Sequence, residues 1–330
     1  PTASGLEFIV PRASWLLTLV LLSVVQAHAE RLPLKSYTIS DGLAHNEINK
    51  IVRDSRGFLW FCTADGLSRF DGYAFTNFGT DQGLPHANVT DLLETRSGEY
   101  WVATSGGVVR FDPRGTPVNR VIYFSDVGSA RPMFTTIVPE DSERRARAIT
   151  VLVEAGNETI WCGTQDGLFR LERTTNRMAL LAVDIGIPMK YPQDRVITDL
   201  LEDRHGSLWA TTPASLYRRW PDGRAAGYSK SDGLPNDHLQ DLMEDHEGHS
   251  WAATLLGGFF RLDTNGNDAK PVVTVAYSIK VGLPTNWVFQ LFETVDQRFW
   301  VAGGRGLLDF FPLGAARGND FRPSSERNGL

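Results

Sequence analysis

Residues 55–72 read SRGFLWFCTADGLSRFDG, and residues 97–112 read SGEYWVATSGGVVRFD. The second stretch keeps the first one's order of Gly, aromatic, Trp, small residues, Thr, Gly, Arg, aromatic and Asp. Working outward, Trp60, Trp101, Trp161, Trp209, Trp251 and Trp300 each follow a similar run, at spacings of 41, 60, 48, 42 and 49 residues. A period of this length marks a repeat architecture. Twelve residues before each Trp stands an aliphatic (Ile48, Val89, Ile149, Ile197, Leu239, Val288), and nine before it come Ile51, Leu92, Leu152, Leu200, Leu242 and Leu291. Polar turns such as EDRHG at 202–206 separate this apolar run from the Trp, so the two are strands of a hairpin.

Three residues after the Trp lies Thr63, Thr104, Thr164, Thr212 or Thr254, with Gly303 as the exception. Six after it lies Gly66, Gly107, Gly167, Gly257 or Gly306, with Ser215 as the exception. A glycine at a fixed place supplies the positive φ of a tight turn into a third strand, such as LSRFD at 67–71. The aromatic segments YAFTNF at 73–78 and AAGYSK at 225–230 read as fourth strands. Four antiparallel strands per unit predict an all-β fold, a β-propeller of four-stranded blades. Six repeats are visible, giving a six-bladed ring or an incomplete seven-bladed one. LKSYTIS at 34–40 resembles a lone fourth strand and is expected to complete the last blade; VGSARPMFTTIVPEDSERRAR at 127–147 is expected as a surface insertion between blades. The expected organisation is a signal peptide over 1–29, a propeller sensor domain over 30–314 and a disordered or truncated tail over 315–330.

The unit resembles the two-component regulator propeller repeat. The matching stretches are DGLAHNEINKIVRDSRGFLWFCTADGLSRFDG at 41–72, QGLPHANVTDLLETRSGEYWVATSGGVVRFD at 82–112 and DGLPNDHLQDLMEDHEGHSWAATLLGGFFRLD at 232–263. The third and fourth copies lack the GLP lead-in. The resemblance implies the periplasmic sensor region of a bacterial sensor or hybrid histidine kinase. In that family the propeller is usually seven-bladed and is followed by a three-tyrosine immunoglobulin-like domain, a membrane helix and an output domain. Any kinase activity would belong to such a C-terminal region and not to these residues.

Composition narrows the partners. The 33 basic and 39 acidic side chains leave a net charge of −6, and the densest basic run, Arg144, Arg145 and Arg147, is flanked by Glu140, Asp141 and Glu143. Nothing here tracks a phosphate backbone, so nucleic acid is not an expected partner. Arg12, the apolar run WLLTLVLLSVV at 15–25 and the Ala27-His28-Ala29 site form a secretory signal. Such a run rises about 16 Å as a helix against the roughly 30 Å of a bilayer core, so it predicts export to the periplasm, with membrane tethering only through a region outside this chain. Cys62 and Cys162 follow their tryptophans by two and one residues and should face opposite ways; no disulfide is expected, and both read as small core residues.

Catalytic patterns such as GxSxG, GxxxxGK[ST], HExxH and CxxC do not occur, and no cofactor is expected. Asp245, His246 and His249 crowd together in DLMEDHEGH, but at the position of a hairpin turn, which predicts a solvated turn and no metal. The binding candidates are the lead-ins between blades and the turns after the Thr, which a propeller places on one face around a central funnel. They are His45, Asn46, Asp65, His86, Asn88, Gln165, Asn236, His238, Asn286 and Trp287, beside Asp237 and Ser105. The competing role for Asn and His there is turn capping. The leading expectation is a sensing module for a small polar ligand such as an oligosaccharide, working with a dimer partner or a membrane-linked kinase. The alternatives are a protein-interaction scaffold and, less favoured, a secreted lyase or hydrolase using His45, His86 or Asp65.

Overall fold

The repeat writes one sheet at a time. In a computed structural model, which describes residues 36–127, 131–139, 144–173, 178–190, 192–236, 238–263, 270–310 and 321–323, blade 1 runs through strands Ile48–Arg53, Leu59–Thr63, Gly66–Phe70 and Phe75–Phe78. They pair antiparallel in sequence order, and five further four-stranded sheets do the same, making a six-bladed β-propeller. The signal segment 1–29 lies outside the described residues, as does most of the tail. No helix among the described residues is long and apolar enough to cross a membrane.

The fixed Thr and Gly have a shared cause. Thr63 Oγ1 donates to Gly66 O at 2.8 Å and accepts from Asp65 N at 3.1 Å, closing the turn between second and third strands. Thr104, Thr164 and Thr254 repeat the bond. Gly66 has φ +104°, and a Cβ there would meet Phe78 O at 2.7 Å, so both conformation and space demand glycine.

Each repeated Trp packs toward the next blade. Trp60 sits 5.7 Å from both Tyr100 and Phe111 of blade 2, and Trp251 sits 5.0 Å from Phe299 of blade 6. Five apolar clusters result, one between each pair of consecutive blades. Cys62 belongs to the first and Cys162 to the second; both are buried thiols on opposite strand faces, as expected, and burial raises the pKa of each. Asp54, Asp203 and Asp245 cap the hairpin turns and accept the indole N–H of Trp60, Trp209 and Trp251 at 2.8–2.9 Å. Burial pushes the carboxyls of Asp54 and Asp245 upward, but the indole and backbone hydrogen bonds outweigh it, and both are held below the usual carboxylate range.

A polar latch accompanies each apolar interface. The backbone N–H groups of Ser55, Arg96, Gly156, Arg204 and His246 donate to Glu94, Glu154, Glu202, Glu244 and Glu293 of the next blade. Blade 1 carries Arg53 at that position, so the interface between blades 6 and 1 lacks the acceptor. No apolar cluster among the described residues bridges these two blades. Ile51 is 57% exposed where its counterpart Leu92 is 3% exposed, and Leu307 of blade 6 is 39% exposed where Leu67 is fully buried.

Three expectations need correction. Of the segment 34–40, the described residues 36–40 do not form a fourth strand: Ile39–Asp41 form a 3₁₀ turn capped by Thr38, followed by Gly42 at φ +101°, the same lead-in that precedes other blades. The fourth strand of blade 6 is instead Phe321–Pro323, paired with Leu308–Phe310, from within the segment expected to be structureless. The long interval is not an insertion between blades either. Phe134–Ile137 is the buried fourth strand of blade 2, so the extra chain falls between that blade's third and fourth strands. Its hydrophobic stretch MFTTIV finds a sheet edge that polar surface loops do not need.

Candidate functional site

The first strands lie innermost, those of blades 1 to 5 each touching the first strand of the next blade. A β-bulge interrupts the pairing between Ile48 and Lys50, Val89 and Asp91, Leu239 and Asp241, and Val288 and Gln290. Bulges re-aim side chains. The residue ten before the Trp reaches the neighbouring first strand, beside a bulge in blades 2 and 5 and without one in blade 4: Asp91 accepts from Leu152 N at 2.9 Å, Asp241 from Leu291 N at 2.7 Å, and Asp199 from Leu242 N at 2.8 Å. Lys50 Nζ lies 2.8 Å from Asp91, whose side chain is 1% exposed while that of Lys50 is 36% exposed. These residues form a polar cluster of one lysine and three aspartates in the inner layer of the propeller.

Its electrostatics are uneven. Burial works against the charge of Lys50, but the Asp91 carboxylate outweighs it and keeps the ammonium above its ordinary pKa. Asp199 is pushed up to about 6, chiefly by burial, against the pull of Lys50; Asp241 is also raised well above the usual carboxylate range, by burial and the neighbouring Asp199. A folded pKa above the unfolded value means that the proton stabilises the fold. Stability from Asp199 is therefore complete below about pH 4 and is lost as pH rises to about 6. Asp199→Asn is expected to gain roughly 1–3 kcal/mol over the parent at pH 7, with the difference vanishing near pH 4. Urea unfolding at the two pH values checks this, and a constant difference would rule it out.

The lead-ins occupy the end of the strands opposite the hairpin turns, together with the turns after the Thr. Their residues divide by role. His45 Nδ1 accepts from Glu47 N and His86 Nδ1 from Asn88 N, both at 3.0 Å; Asn46 and Asn286 accept from Ile39 N and Ile279 N at 2.9 Å. These four hold turns. Asn236 packs against Gly257. The residues directly before the first strands bond to their own blade's turn through the backbone: Ser105 N to Asn88 O, Leu255 N to His238 O, and Gly304 N to Trp287 O. This frees the side chains of His238, which is exposed, and Trp287, which is 55% exposed. Asn88 bonds Asn49 at 2.9 Å and Ser105 at 3.0 Å. Asp65 and Gln165 are exposed on the adjoining turns, and Asp237 lies outside the described residues. His86, Asn88 and Ser105 are thus brought together on blade 2, and Asn286 meets Gly258 of blade 5. No hydrogen bond joins His45, His86 and Asp65 among the described residues.

At the other end, His249 faces Asp245 at 3.1 Å and His246 faces Glu293 of blade 6 at 2.5 Å. The glutamate hydrogen bond raises the pKa of His246. These side chains serve the turn and the latch, and no group of metal-ligating side chains forms among the described residues. Arg145 donates to Gln165 O and Pro192 O, so the basic run braces loops.

Sequence reasoning missed the inner-layer cluster. Its signal was visible as the Asp of VTDLLE at 89–94, ITDLLE at 197–202 and LQDLME at 239–244, embedded in apolar runs where a carboxylate is costly.

The family model for the two-component regulator propeller matches residues 42–65 and 83–106, the lead-in through second strand of blades 1 and 2. These two stretches are two-component regulator propeller repeats. Among solved structures, this regulator propeller is similar to the extracellular domain of a putative hybrid two-component system of B. thetaiotaomicron, at 18% identity and a TM-score of 0.64. That match covers 82% of this chain and 33% of the other, so the chain spans about a third of that domain's length. It is also similar to virginiamycin B lyase of Staphylococcus aureus, at 12% identity over 80% of this chain and 81% of that one, with a TM-score of 0.59. PorZ, a surface component of the type-IX secretion system of Porphyromonas gingivalis, matches at 15% identity over 77% of this chain and 37% of that one, with a TM-score of 0.58. At these identities the likeness is one of fold. No curated protein matches the sequence.

Proposed function

We propose that this regulator propeller is the extracytoplasmic, ligand-sensing region of a two-component receptor. It takes a small polar ligand, such as an oligosaccharide, at the face carrying the lead-ins. The observation that supports this most is the division of labour there. His45, Asn46, His86 and Asn286 are spent on turns and Asn88 on Asn49 and Ser105, while His238 and Trp287 present side chains the turns do not need. An exposed indole offers a flat apolar surface to a sugar ring, and the imidazole offers a directional donor and acceptor. The regulator-propeller match and the signal-like segment at 1–29 favour a place outside the cytoplasm. In this reading the domain is not an enzyme, and its signal passes to a membrane-linked kinase region, with or without dimerisation.

The test is thermal unfolding of the purified propeller against a panel of neutral and acidic oligosaccharides and small metabolites. A ligand present at one hundred times its Kd stabilises by about 2.7 kcal/mol, a readable rise in Tm. The reading predicts such a rise for at least one panel member; no rise for any ligand at high concentration contradicts it.

A further inference from the structure

Between blades 1 and 2, on the hairpin-turn side and away from the lead-ins, lies a cleft of about 370 Å³. The volume is within the usual range of small-molecule pockets, roughly 300–1,000 Å³. Three parts of the fold meet in it: the hairpin turn of blade 1 with Arg56, the strands of blade 2 with Tyr100 and Arg110, and the extra chain of that blade with Arg114 and Arg131. The extra chain departs from the repeat, and it is held in place here. Thr116 N–H donates to Arg131 O and Met133 N–H to Thr116 O, both at 2.8 Å, and Gly115 N–H donates to Asp112 O at 2.9 Å. Arg114 and Arg131 therefore stand on braced backbone, an arrangement that lowers the ordering cost of binding.

Four arginines line the cleft against three carboxylates, Glu94, Glu99 and Asp112, in a chain whose net charge is −6. The neighbouring cleft between blades 2 and 3 has the opposite balance, three arginines against four glutamates. The carboxylates of the first cleft are spent. Glu94 accepts from the Ser55 N–H and hydroxyl at 2.6 and 2.7 Å, and Glu99 divides its oxygens between Arg110 and Arg173 at 2.8 and 3.3 Å. Asp112 takes the Arg114 N–H at 3.0 Å and Arg131 Nε at 2.6 Å.

The guanidinium groups are not spent. Arg110 and Arg131 each place one nitrogen on a carboxylate, and Arg56 places one on the Tyr100 hydroxyl at 2.8 Å. Their side chains stay 42%, 68% and 51% exposed, so the remaining N–H groups are open to solvent. The Arg114 guanidinium makes no hydrogen bond or ion pair among the described residues; only its backbone N–H is engaged. Each guanidinium carries five donors and no acceptor, so the cleft offers donors in excess of anything the protein supplies to accept them.

We propose that this cleft is a second ligand site, for a small anion. One oxyanion group of the ligand lies among the free N–H donors of Arg56, Arg110, Arg114 and Arg131. Guanidinium forks engage carboxylate, sulfate and phosphate groups in the same bidentate manner, so the oxyanion is the recognised chemistry.

The experiment is isothermal titration of the purified chain with citrate, inorganic sulfate and inorganic phosphate, each at one ionic strength fixed with sodium chloride. The expected result is saturable binding of at least one of them, with a Kd of about 1 mM or tighter. Tightest binding of citrate identifies a carboxylate ligand; tightest binding of sulfate or phosphate identifies a tetrahedral one. Arg114→Gln is expected to leave Tm unchanged, since the side chain has no partner to lose, and to weaken binding about tenfold or more. Arg110→Gln gives an independent loss of affinity. Absence of saturable binding by all three anions overturns the proposal, as does parental affinity in both variants. Binding abolished by Trp287→Ala and untouched by Arg114→Gln would place the anion at the lead-ins and overturn it as well.

Discussion

Replacing Trp60 with Ala is expected to destabilise the propeller by about 3–5 kcal/mol, whereas Trp300→Ala should cost less than half as much. Both residues hold the same place in the repeat, so the difference isolates the neighbouring blade. Trp60 is fully buried against Phe78 of its own blade and Tyr100 and Phe111 of the next, and its N–H is held by Asp54. Trp300 faces the side where no apolar cluster forms, is partly exposed, and stacks on Phe292 of its own blade at 6.2 Å. Truncating it opens less cavity. Chemical unfolding of the two variants is the check, and equal losses would mean that blades 6 and 1 pack as tightly as the rest.

Lys50→Met is expected to produce the second large effect, about 3–5 kcal/mol at neutral pH. The lysine is the cation paired with Asp91, and the Asp91 side chain is almost wholly buried. Removing it leaves an uncompensated carboxylate and withdraws the charge that also draws down the pKa values of Asp199 and Asp241. Two signatures separate this from lost packing. The deficit should shrink as pH falls through the range where Asp199 and Asp241, both raised, take up protons, and Lys50→Met with Asp91→Asn should recover most of it. A pH-independent deficit would assign the cost to the lysine's methylenes instead.

The periodic elements were legible because local chemistry alone determines them. Thr63 and Gly66 close their turn within four residues, and Trp60 finds an apolar neighbour wherever a blade follows. What depends on the neighbour was not legible. Ile51 and Leu92 look alike in sequence, yet only Leu92 meets a preceding blade that buries it. The latch was hidden because Glu94 or Glu202 reads as half of an acidic pair in a polar turn, when it reaches back to the turn of the preceding blade. The inner aspartates were hidden for a related reason: the bulges that aim Asp91 and Asp241 are backbone irregularities without a sequence marker.

The same division runs through the lead-ins. His45, Asn46, His86, Asn88, Asn236, His238, Asn286 and Trp287 were equivalent as polar or aromatic loop residues. Only the hydrogen bonds separate those that hold turns from those with side chains to spare. That distinction carries the functional reading. The most direct measurement is isothermal titration of the ligand found by thermal shift against the parent, Trp287→Ala and His238→Ala. The reading predicts unchanged Tm without ligand and at least about tenfold weaker binding in one or both variants, equivalent to about 1.4 kcal/mol or more. Parental affinity in both would contradict it.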